Sequence, residues 1–313
     1  MTNSGSTSGS TSGPLVWLPF KPDKLGEIPS SLRYEHVDAD DLPASGDDVA
    51  FYVLPYRFRP SDGEVLAQLP NLQVVQTMSA GFEHIQAYVP DGVQLCNGRG
   101  IHDTSTAELT LALILASLRG VPQFVRAQDR AEWRPEPRES LADKQVLIIG
   151  YGQIGEAIEA RLLPFEAAVT RVARSARDGV HGIEELPVLL PEADVVVLIV
   201  PGTEQTKGLF DARMLAHLKD GALLVNIARG PVVDTDALLA ELRSERIHAA
   251  LDVVDPEPLP SDHPLWTAPN LLIVPHVGGN SSAMWPRSYK LVREQLHRFA
   301  AGEPLANVVT GDY

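Results

Sequence analysis

The segment Gln145–Gly155, QVLIIGYGQIG, constrains the fold of this chain more than any other. It begins with the apolar run Val146–Ile149, which has the composition of a strand buried on both faces. Three glycines follow in the spacing G-x-G-x-x-G, and EAIEARLL then repeats apolar residues at helical intervals. Strand, glycine turn and helix N-terminus together predict a site for the pyrophosphate of a dinucleotide.

Each glycine has its own physical task in such a site. Gly150 makes the tight turn, Gly152 lets the backbone approach the phosphates, and Gly155 lets helix and strand pack closely. The N-terminus of the helix then offers free N–H groups to the anion.

Composition and charge narrow the class of protein. A length of 313 residues with 44% apolar residues allows two domains with real cores. The net charge of −15 opposes binding to nucleic acid and to anionic membranes, so neither is expected as a partner. The single cysteine, Cys96, excludes an internal disulfide and fits a reducing compartment.

No apolar run reaches the length that spans a membrane, and Met1–Gly13 lacks the apolar core of a secretory signal. The Ser, Thr and Gly content of Met1–Gly13 predicts a flexible tail. We therefore expect a cytoplasmic location.

A first α/β series precedes the glycine motif. Apolar runs predict a parallel sheet with a helix around Ser61–Leu69 and strands at Leu15–Leu18, Val49–Leu54, Leu72–Met78 and Val93–Cys96. Thr104–Leu118 is predicted as a long helix, capped by Thr104 or Ser105 and ended by Gly120. The charged, proline-containing stretch Gln123–Lys144 is interpreted as a surface arm or a linker, with Trp133 in its middle.

A second series begins at the motif. Its six predicted strands are the number expected for a doubly wound dinucleotide domain: Val146–Ile149, Ala168–Ala173, Asp194–Val200, Ala222–Ile227, Ala249–Val254 and Leu271–Val274. One more helix, Trp285–Ala301, follows.

Three chemically capable residues follow strands of this second series. In doubly wound sheets ligands bind beyond the carboxyl ends of the strands, which is where Arg229, Glu257 and His276 fall. Each alone has an ordinary explanation as a surface charge or a loop hydrogen-bonder, but their convergence at one edge suits hydride transfer to a 2-keto acid. His276 fits as general acid, with Glu257 orienting the imidazole and raising its pKa. Arg229 suits the substrate carboxylate and carbonyl oxygen.

The same segments resemble the D-isomer-specific 2-hydroxyacid dehydrogenase family. The resemblance rests on GYGQIG at Gly150–Gly155, VNIARGPVVD at Val225–Asp234, ALDVVDPEPLP at Ala250–Pro260 and PHVGG at Pro275–Gly279. It runs from about Ala107 to Gly279 and includes the loop VPGTEQTKGLF. It implies that Arg229, Glu257 and His276 are the catalytic residues and that Asp252 accepts a hydrogen bond from the nicotinamide carboxamide.

The resemblance implies an α/β protein of two doubly wound parallel-sheet domains, a Rossmann-type cofactor domain inserted into a smaller flavodoxin-like substrate domain. The expected boundaries are residues 14–101 and 282–313 for the substrate domain and 102–281 for the cofactor domain, with a dimerisation arm near 120–140. Further cofactor contacts are implied for Thr106, Gln153, Ile154, Pro201, Thr206, Ala228 and Gly278.

In the first series the resemblance is looser. TMSAGFEHI (Thr77–Ile85) is similar to the family's substrate-carboxylate loop, where the backbone N–H groups would be those of Ala80 and Gly81. Glu83 stands where the family usually has Asp, which does not affect the backbone role. Asn97 lies where the family faces the substrate.

The residues after the second strand of the cofactor domain predict the choice of nicotinamide cofactor. An NAD site normally has an acid there, but this chain has Ala173 followed by Arg174, Ser175 and Arg177. Two guanidinium groups and a hydroxyl would bind a 2′-phosphate, which predicts NADPH over NADH. The alternative is that the arginines are solvated loop charges and that the enzyme accepts NAD(H) as well.

The sequence therefore predicts an NADPH-dependent reductase of a small 2-keto acid, with glyoxylate and hydroxypyruvate as the default substrates. The family resemblance implies a homodimer. Phosphoglycerate is disfavoured because no added regulatory domain is present, and formate because that branch carries Gln where Glu257 stands.

Two other classes stay open. One is an NADP(H)-sensing co-regulator without useful turnover, and the other is a dehydrogenase of similar architecture that acts on an amino acid or a thioether nucleoside. Tyr56, Arg57, Arg59, Arg99 and His102 either contact a substrate substituent or are solvated. No histidine pair has the spacing of metal ligands, so no metal is expected.

Overall fold

The computed structural model describes residues 13–38, 40, 41, 43, 45–56 and 63–311. Arg57, Arg59, the predicted tail up to residue 12 and the first two residues of the predicted helix Ser61–Leu69 lie outside the described residues. The chain divides into two compact units. The first runs to Ile101 and resumes at Trp285, and the second runs from His102 to Met284.

In the described residues, the first unit contains a five-stranded parallel sheet in the order β2-β1-β3-β4-β5. This is the flavodoxin-like order, as predicted. The strands are β1 Leu15–Leu18, β2 Arg33–His36, β3 Val49–Val53, β4 Val74–Gln76 and β5 Gln94–Cys96, and the short helix α1 is Glu83–Gln86.

The edge strand β2 is absent from the sequence prediction. Its residues are RYEH, and none of them is fully buried. An edge strand with one bonded neighbour needs no continuous apolar run, so hydropathy alone does not reveal it. By contrast, all five residues of the central strand β3, VAFYV, are buried.

The predicted helix Ser61–Leu69 is largely a tighter turn where it is described. Gly63 and Glu64 are α-helical, and Val65–Gln68 then form a 3-10 helix that buries Leu66. Short 3-10 pieces of this kind commonly end a helix.

The second unit begins with helices α2 (Asp103–Leu118) and α3 (Val121–Asp129). Its strands are β6 Gln145–Ile149, β7 Ala168–Ala173, β8 His181–Gly182, β9 Val195–Leu198, β10 Leu223–Asn226, β11 His248–Leu251 and β12 Leu271–Ile273. The intervening helices are α4 Gln153–Leu162, α5 Leu186–Leu189, α6 Ala212–Leu215 and α7 Thr235–Arg243. The last helix, α8 (Met284–Ala301), begins at the end of the second unit and continues in the first.

Within the described part of the chain, these strands form a seven-stranded parallel sheet in the order β12-β11-β10-β9-β6-β7-β8. The six predicted strands are all present, although most are shorter than predicted. The seventh, His181–Gly182, has only two residues and too little pattern to be predicted. The direction of winding reverses between β6 and β9, which is where doubly wound sheets bind their ligands.

The core of the second unit explains why its strands read as continuous apolar runs. All four residues of β9 are fully buried. Val195 and Val197 pack into the cluster on one face of the sheet, and Val196 and Leu198 into the cluster on the other. Each fully buried side chain of this size contributes about 1.5–3 kcal/mol, so burial on both faces stabilises the central strands.

The predicted N-cap of α2 is wrong. The N-cap residue is His102, and Thr104 and Ser105 lie within the first turn of the helix. The predicted end at Gly120 is confirmed, since this residue has a φ of +65° that favours glycine.

The first residues of the predicted arm are helical. The arm starts with helix α3, and Pro122 stands in its first turn, where its missing N–H leaves no hydrogen bond broken.

Among the described residues no single helix is long and apolar enough to cross a membrane. The pair α2 and α3 passes that test only jointly, across a 65° bend, and α2 carries many buried side chains.

Candidate cofactor and catalytic site

The register of the large sheet aligns the carboxyl ends of its strands in one row. Consecutive pairings join Ile273, Leu251, Asn226, Leu198, Ile149 and Val172 across the sheet. The predicted residues of this unit follow within a few positions of that row: Gly150, Arg174, Pro201, Arg229, Asp252 and His276. One edge of one sheet thus carries the glycine loop and the candidate catalytic residues.

The glycine loop has the geometry that the motif predicts. Gly150 has a φ of +107°, and a Cβ there would lie 2.3 Å from the carbonyl oxygen of Ile199. A Cβ on Gly155 would lie 2.6 Å from the carbonyl oxygen of Gly150, so helix α4 and strand β6 pack too closely for a side chain. A Cβ on Gly152 would meet no described atom within 4 Å.

Gly152 is also the N-cap of α4, and Gln153 and Ile154 are its first residues. The open space at Gly152 lies at the end of the helix where the backbone N–H groups point outward. These features fit a dinucleotide pyrophosphate.

Three side chains that the sequence analysis did not single out form a hydrogen-bonded cluster that includes Tyr151 of this loop. The buried Glu159 accepts two hydrogen bonds from Arg171 Nε at 2.9 Å and one from Arg171 Nη2 at 2.5 Å. The Tyr151 hydroxyl also donates to Glu159, and the Arg171 guanidinium lies 5.4 Å from the centre of the Tyr151 ring. Burial is the largest single influence on the pKa of Glu159 and raises it. The hydrogen bonds from Arg171 and Tyr151 and the charge of Arg171 together outweigh burial, so the pKa lies below its ordinary value. The carboxylate is therefore held ionised.

The segment after β7 places Arg174, Ser175 and Arg177 on the surface. Arg177 Nη2 donates to the carbonyl oxygen of Tyr151 at 2.6 Å, which ties this arginine to the glycine loop. Its backbone exchanges hydrogen bonds with Val180, so the segment turns sharply.

The loop after β9 is held by Thr206. Its buried hydroxyl donates to the carbonyl oxygen of Pro201 at 2.6 Å and accepts from the N–H of Thr203 at 2.9 Å. The hydroxyl predicted to contact the cofactor therefore shapes the loop that carries Pro201.

The loop after β10 is organised by Asn226, which the sequence analysis did not single out. Its Nδ2 donates to the carbonyl oxygen of Arg229 at 3.0 Å, and its Oδ1 accepts from the N–H of Ala228 at 3.0 Å. Arg229 Nη1 donates to the carbonyl oxygen of Ala228 at 2.8 Å. Asn226 ends the otherwise apolar strand LLVN, and a polar residue at that position is the signal that could have revealed this role.

Glu257 and His276 meet although they follow different strands. His276 Nδ1 lies 2.5 Å from Glu257 Oε1, and both side chains are partly exposed. The hydrogen bond with Glu257 raises the pKa of His276 above its ordinary value, against the lowering effect of burial. The pair therefore keeps the imidazole protonated to higher pH than a free histidine.

Asp252 organises the loop that carries His276. The N–H groups of three consecutive residues converge on it: His276 on its carbonyl oxygen at 2.7 Å, Val277 on Oδ1 at 2.7 Å and Gly278 on Oδ2 at 3.0 Å. His276 has a φ of +51°, a conformation that a non-glycine residue keeps only when its surroundings impose it. Burial raises the pKa of Asp252, although the two backbone hydrogen bonds to its carboxylate lower it.

Two more predicted residues lie beside Asp252. A Cβ on Gly278 would lie 2.8 Å from Asp252 Oδ2 and 3.7 Å from the side chain of Thr106, so a side chain there would displace the Asp252 carboxylate. Thr106 is buried in α2. Ser105, its neighbour, is hydrogen-bonded at 2.6 Å to Ser281 beyond the same loop.

The predicted substrate loop lies in the first unit. Asn97 is buried, and its Nδ2 donates to the carbonyl oxygen of Ala80 at 3.0 Å. The Ser79 hydroxyl donates to the carbonyl oxygen of Gly81 at 2.7 Å. The structure therefore brings Ala80, Gly81 and Asn97 together at the carboxyl ends of β4 and β5.

Among the described residues, no group of three or more His, Cys, Asp or Glu side chains could hold a metal ion. His102 is buried at the start of α2, and Arg99 is exposed.

The second unit thus combines a dinucleotide cradle with an acid–base pair and an arginine at one sheet edge. This arrangement is that of a nicotinamide-dependent oxidoreductase.

Comparison with known proteins agrees with the geometry. Residues 111–278 match the model of the D-isomer specific 2-hydroxyacid dehydrogenase family, NAD binding domain. The chain is 33% identical over 308 residues to a glyoxylate/hydroxypyruvate reductase B of Yersinia pestis (strain Pestoides F), covering 93% of this chain and 86% of that protein. The chain belongs to the D-isomer specific 2-hydroxyacid dehydrogenase family.

Solved structures give the same result. A D-isomer specific 2-hydroxyacid dehydrogenase from Xanthobacter autotrophicus Py2, in complex with NADPH and MES, has a TM-score of 0.80 and 30% identity, with 95% of this chain and 98% of that chain covered. An NADPH-dependent glyoxylate/hydroxypyruvate reductase from Sinorhizobium meliloti, in complex with NADP and sulfate, has a TM-score of 0.80 and 26% identity with the same coverage. The protein is an oxidoreductase of this family, with two parallel-sheet α/β domains and a nicotinamide cofactor.

Proposed function

We propose that this protein reduces a small 2-keto acid of the glyoxylate or hydroxypyruvate type to the D-2-hydroxy acid, with NADPH as the preferred cofactor. The observation that carries the proposal is the contact of 2.5 Å between His276 Nδ1 and Glu257 Oε1 at the sheet edge that also bears Arg229. The substrate type is supported by relatives named as glyoxylate and glyoxylate/hydroxypyruvate reductases.

His276 serves as the general acid. Because Nδ1 is bonded to Glu257, Nε2 is the ring nitrogen that gives a proton to the carbonyl oxygen as the substrate is reduced. The pKa of His276, raised by the Glu257 hydrogen bond, keeps that proton in place to higher pH than in a free histidine. In the reverse direction the neutral imidazole takes the proton back from the hydroxyl group.

The cofactor supplies the hydride when it is bound. Arg229 binds the substrate carboxylate and stabilises negative charge on the carbonyl oxygen, since its guanidinium is permanently charged and forked. Asp252 accepts from the carboxamide of the nicotinamide while it holds the His276 loop. A carboxylate has about four lone-pair sites, so the two backbone hydrogen bonds leave acceptor capacity.

Ala80 and Gly81 bind the substrate carboxylate through their backbone N–H groups, and Asn97 faces the substrate. The hydrogen bonds from Asn97 to Ala80 and from Ser79 to Gly81 support this role, because they fix the loop before the substrate arrives.

The preference for NADPH depends on Arg174, Ser175 and Arg177. Arg174 and Arg177 are cationic, no carboxylate precedes Asp178 after β7, and Arg177 is tied to the glycine loop. A 2′-phosphate gains charge-assisted hydrogen bonds from such a set. The remaining cofactor contacts are assigned to Thr106, Gln153, Ile154, Pro201, Thr206, Ala228 and Gly278.

The test is loss of NADPH absorbance with glyoxylate, hydroxypyruvate, pyruvate and phenylpyruvate, each repeated with NADH. We expect turnover of glyoxylate or hydroxypyruvate and a higher kcat/KM with NADPH. A clear preference for NADH would refute the cofactor assignment. Tight NADPH binding with no turnover of any keto acid would refute the reductase and favour an NADP(H)-sensing regulator.

We further propose a homodimer formed through the arm near residues 120–140. Trp133 is 95% exposed, and Val121, Phe124 and Val125 are also exposed apolar side chains. Burial of such a patch against a second copy removes apolar surface from water. The cytoplasmic location stays a prediction.

A further inference from the structure

Two buried glutamines in the first unit form a closed hydrogen-bond network. Gln76 is the last residue of β4 and Gln295 lies in α8, and both are fully buried. Gln295 Nε2 donates to Gln76 Oε1 at 2.8 Å and to the carbonyl oxygen of Ala306 at 2.8 Å. Gln295 Oε1 in turn accepts from the N–H of Ala306 at 2.8 Å.

Gln76 extends this network to the carboxyl ends of strands β4 and β5. Its Nε2 donates to the carbonyl oxygens of Thr77 at 2.8 Å and Asn97 at 3.0 Å, with that of Cys96 at 3.4 Å. Both hydrogens of each glutamine amide are thus used, so the network is satisfied without water. A fully satisfied buried polar network rigidifies the groups that it joins.

The end of the chain holds the same loop from a second side. The N–H of Asn97 donates to the carbonyl oxygen of Asn307 at 3.0 Å, and Asn307 Nδ2 donates to that of Arg99 at 2.9 Å. The N–H of Val309 donates to the carbonyl oxygen of Leu95 at 2.8 Å. The backbone of Asn97 is therefore fixed on both sides by residues that follow α8.

We infer that Gln76 and Gln295 are positioning residues for the substrate. They act through the backbone of Asn97, whose side chain fixes Ala80, and so they set where the carboxylate-binding N–H groups stand. The inference depends on the proposed function, because it assigns Ala80, Gly81 and Asn97 to the substrate. A loop displaced by about 1 Å is enough to weaken substrate binding and turnover.

The test replaces each glutamine by methionine, which has similar length and no amide. Gln295→Met should raise the KM for the keto acid about tenfold, the effect of losing about one hydrogen bond in the site. The KM for NADPH should stay within about twofold, because the cofactor residues lie in the other unit. Gln76→Met, the second variant, should act in the same direction. The control is Val292→Ala, a fully buried residue of α8 without side-chain polar atoms, which should leave both KM values unchanged.

The double variant Gln76→Met/Gln295→Met separates positioning from stability. Removing both amides leaves no unpaired partner between them, so the melting temperature should fall by less than the sum of the losses in the two single variants. Its KM for the keto acid should nevertheless stay raised. A KM that returns to the wild-type value would show a purely structural role and overturn the inference.

Hydrogen exchange tests the same inference without turnover. The amides of Asn97 and Ala306 should exchange faster in Gln295→Met than in the wild type, while amides of the second unit stay unchanged. Unchanged exchange at Asn97 would overturn the inference. A wild-type protein that reduces no keto acid would instead overturn the proposed function and remove the substrate from this loop.

Discussion

Replacing Gly152 by alanine should weaken cofactor binding while leaving the stability of the fold nearly unchanged. The residue has φ −106° and ψ −160°, an extended conformation that alanine adopts readily. The added methyl group meets no described atom within 4 Å. Alanine is a poorer N-cap than glycine, which costs about 0.5–1 kcal/mol, but it reduces the entropy of the unfolded chain by a similar 0.4–1 kcal/mol. The free energy of unfolding should therefore change by less than about 0.5 kcal/mol.

In the proposed cofactor site, the same methyl group would stand where the pyrophosphate approaches the backbone. Moving the phosphate outward weakens at least one charge-assisted hydrogen bond, worth about 1.5–3 kcal/mol. The dissociation constant for NADPH should rise at least about tenfold. The measurements are a fluorescence titration with NADPH and a thermal melt of the cofactor-free protein.

Gly150→Ala is the matched control, since the same methyl group is added two residues earlier. Here it would lie 2.3 Å from the Ile199 carbonyl oxygen at a φ of +107°. Overpacking of about 1–3 kcal/mol and strain of about 1–2 kcal/mol should lower the melting temperature by at least about 4 °C. If Gly152→Ala binds NADPH within twofold of the wild type, the pyrophosphate does not lie at this loop.

Three further predictions concern the catalytic pair, the cofactor and the arm. His276→Ala should lower kcat at least about a hundredfold. In Glu257→Gln the hydrogen bond that raises the pKa of His276 is weakened, so kcat/KM for reduction should begin to fall at a lower pH than in the wild type. Superimposable pH profiles of the two proteins would contradict this. Exchanging both Arg174 and Arg177 for alanine should lower the ratio of kcat/KM for NADPH to kcat/KM for NADH at least about tenfold, mainly because kcat/KM for NADPH falls. An unchanged ratio would show that these arginines do not bind the 2′-phosphate. Trp133→Asp should convert a dimer to a monomer in sedimentation, and a wild-type monomer would contradict the proposed interface.

The larger sheet was predictable because its central strands β6, β9, β10 and β11 are buried on both faces. Strand β9 reads as a bare apolar run, and the glycines after β6 have a steric reason for their spacing. The polar edge strand β2 and the two-residue strand β8 carry no such pattern, and pairing with a neighbour defines them instead.

The positions of the candidate residues His276 and Arg229 were predictable because they follow the ends of recognisable strands. The residues that hold the site were not. Asn226 acts on a loop only a few residues away, but its role depends on burial, which its sequence position does not give. Gln76 and Gln295 are 219 residues apart, so their pairing depends on the tertiary fold. Asp252 was assigned a cofactor contact, whereas its three backbone hydrogen bonds to the His276 loop appear only in the structure.

In the proposed reaction a hydride passes to the 2-position of a keto acid, with His276 as the proton donor. The most direct measurement uses NADPH carrying deuterium at both C4 positions with hydroxypyruvate, followed by chiral analysis and mass spectrometry of the product. We expect the D-2-hydroxy acid with one deuterium at C2 from the wild type, and at least about a hundredfold less of it from His276→Ala in the same time. An L-configured product, a product without deuterium at C2, or an equal yield from His276→Ala would contradict it.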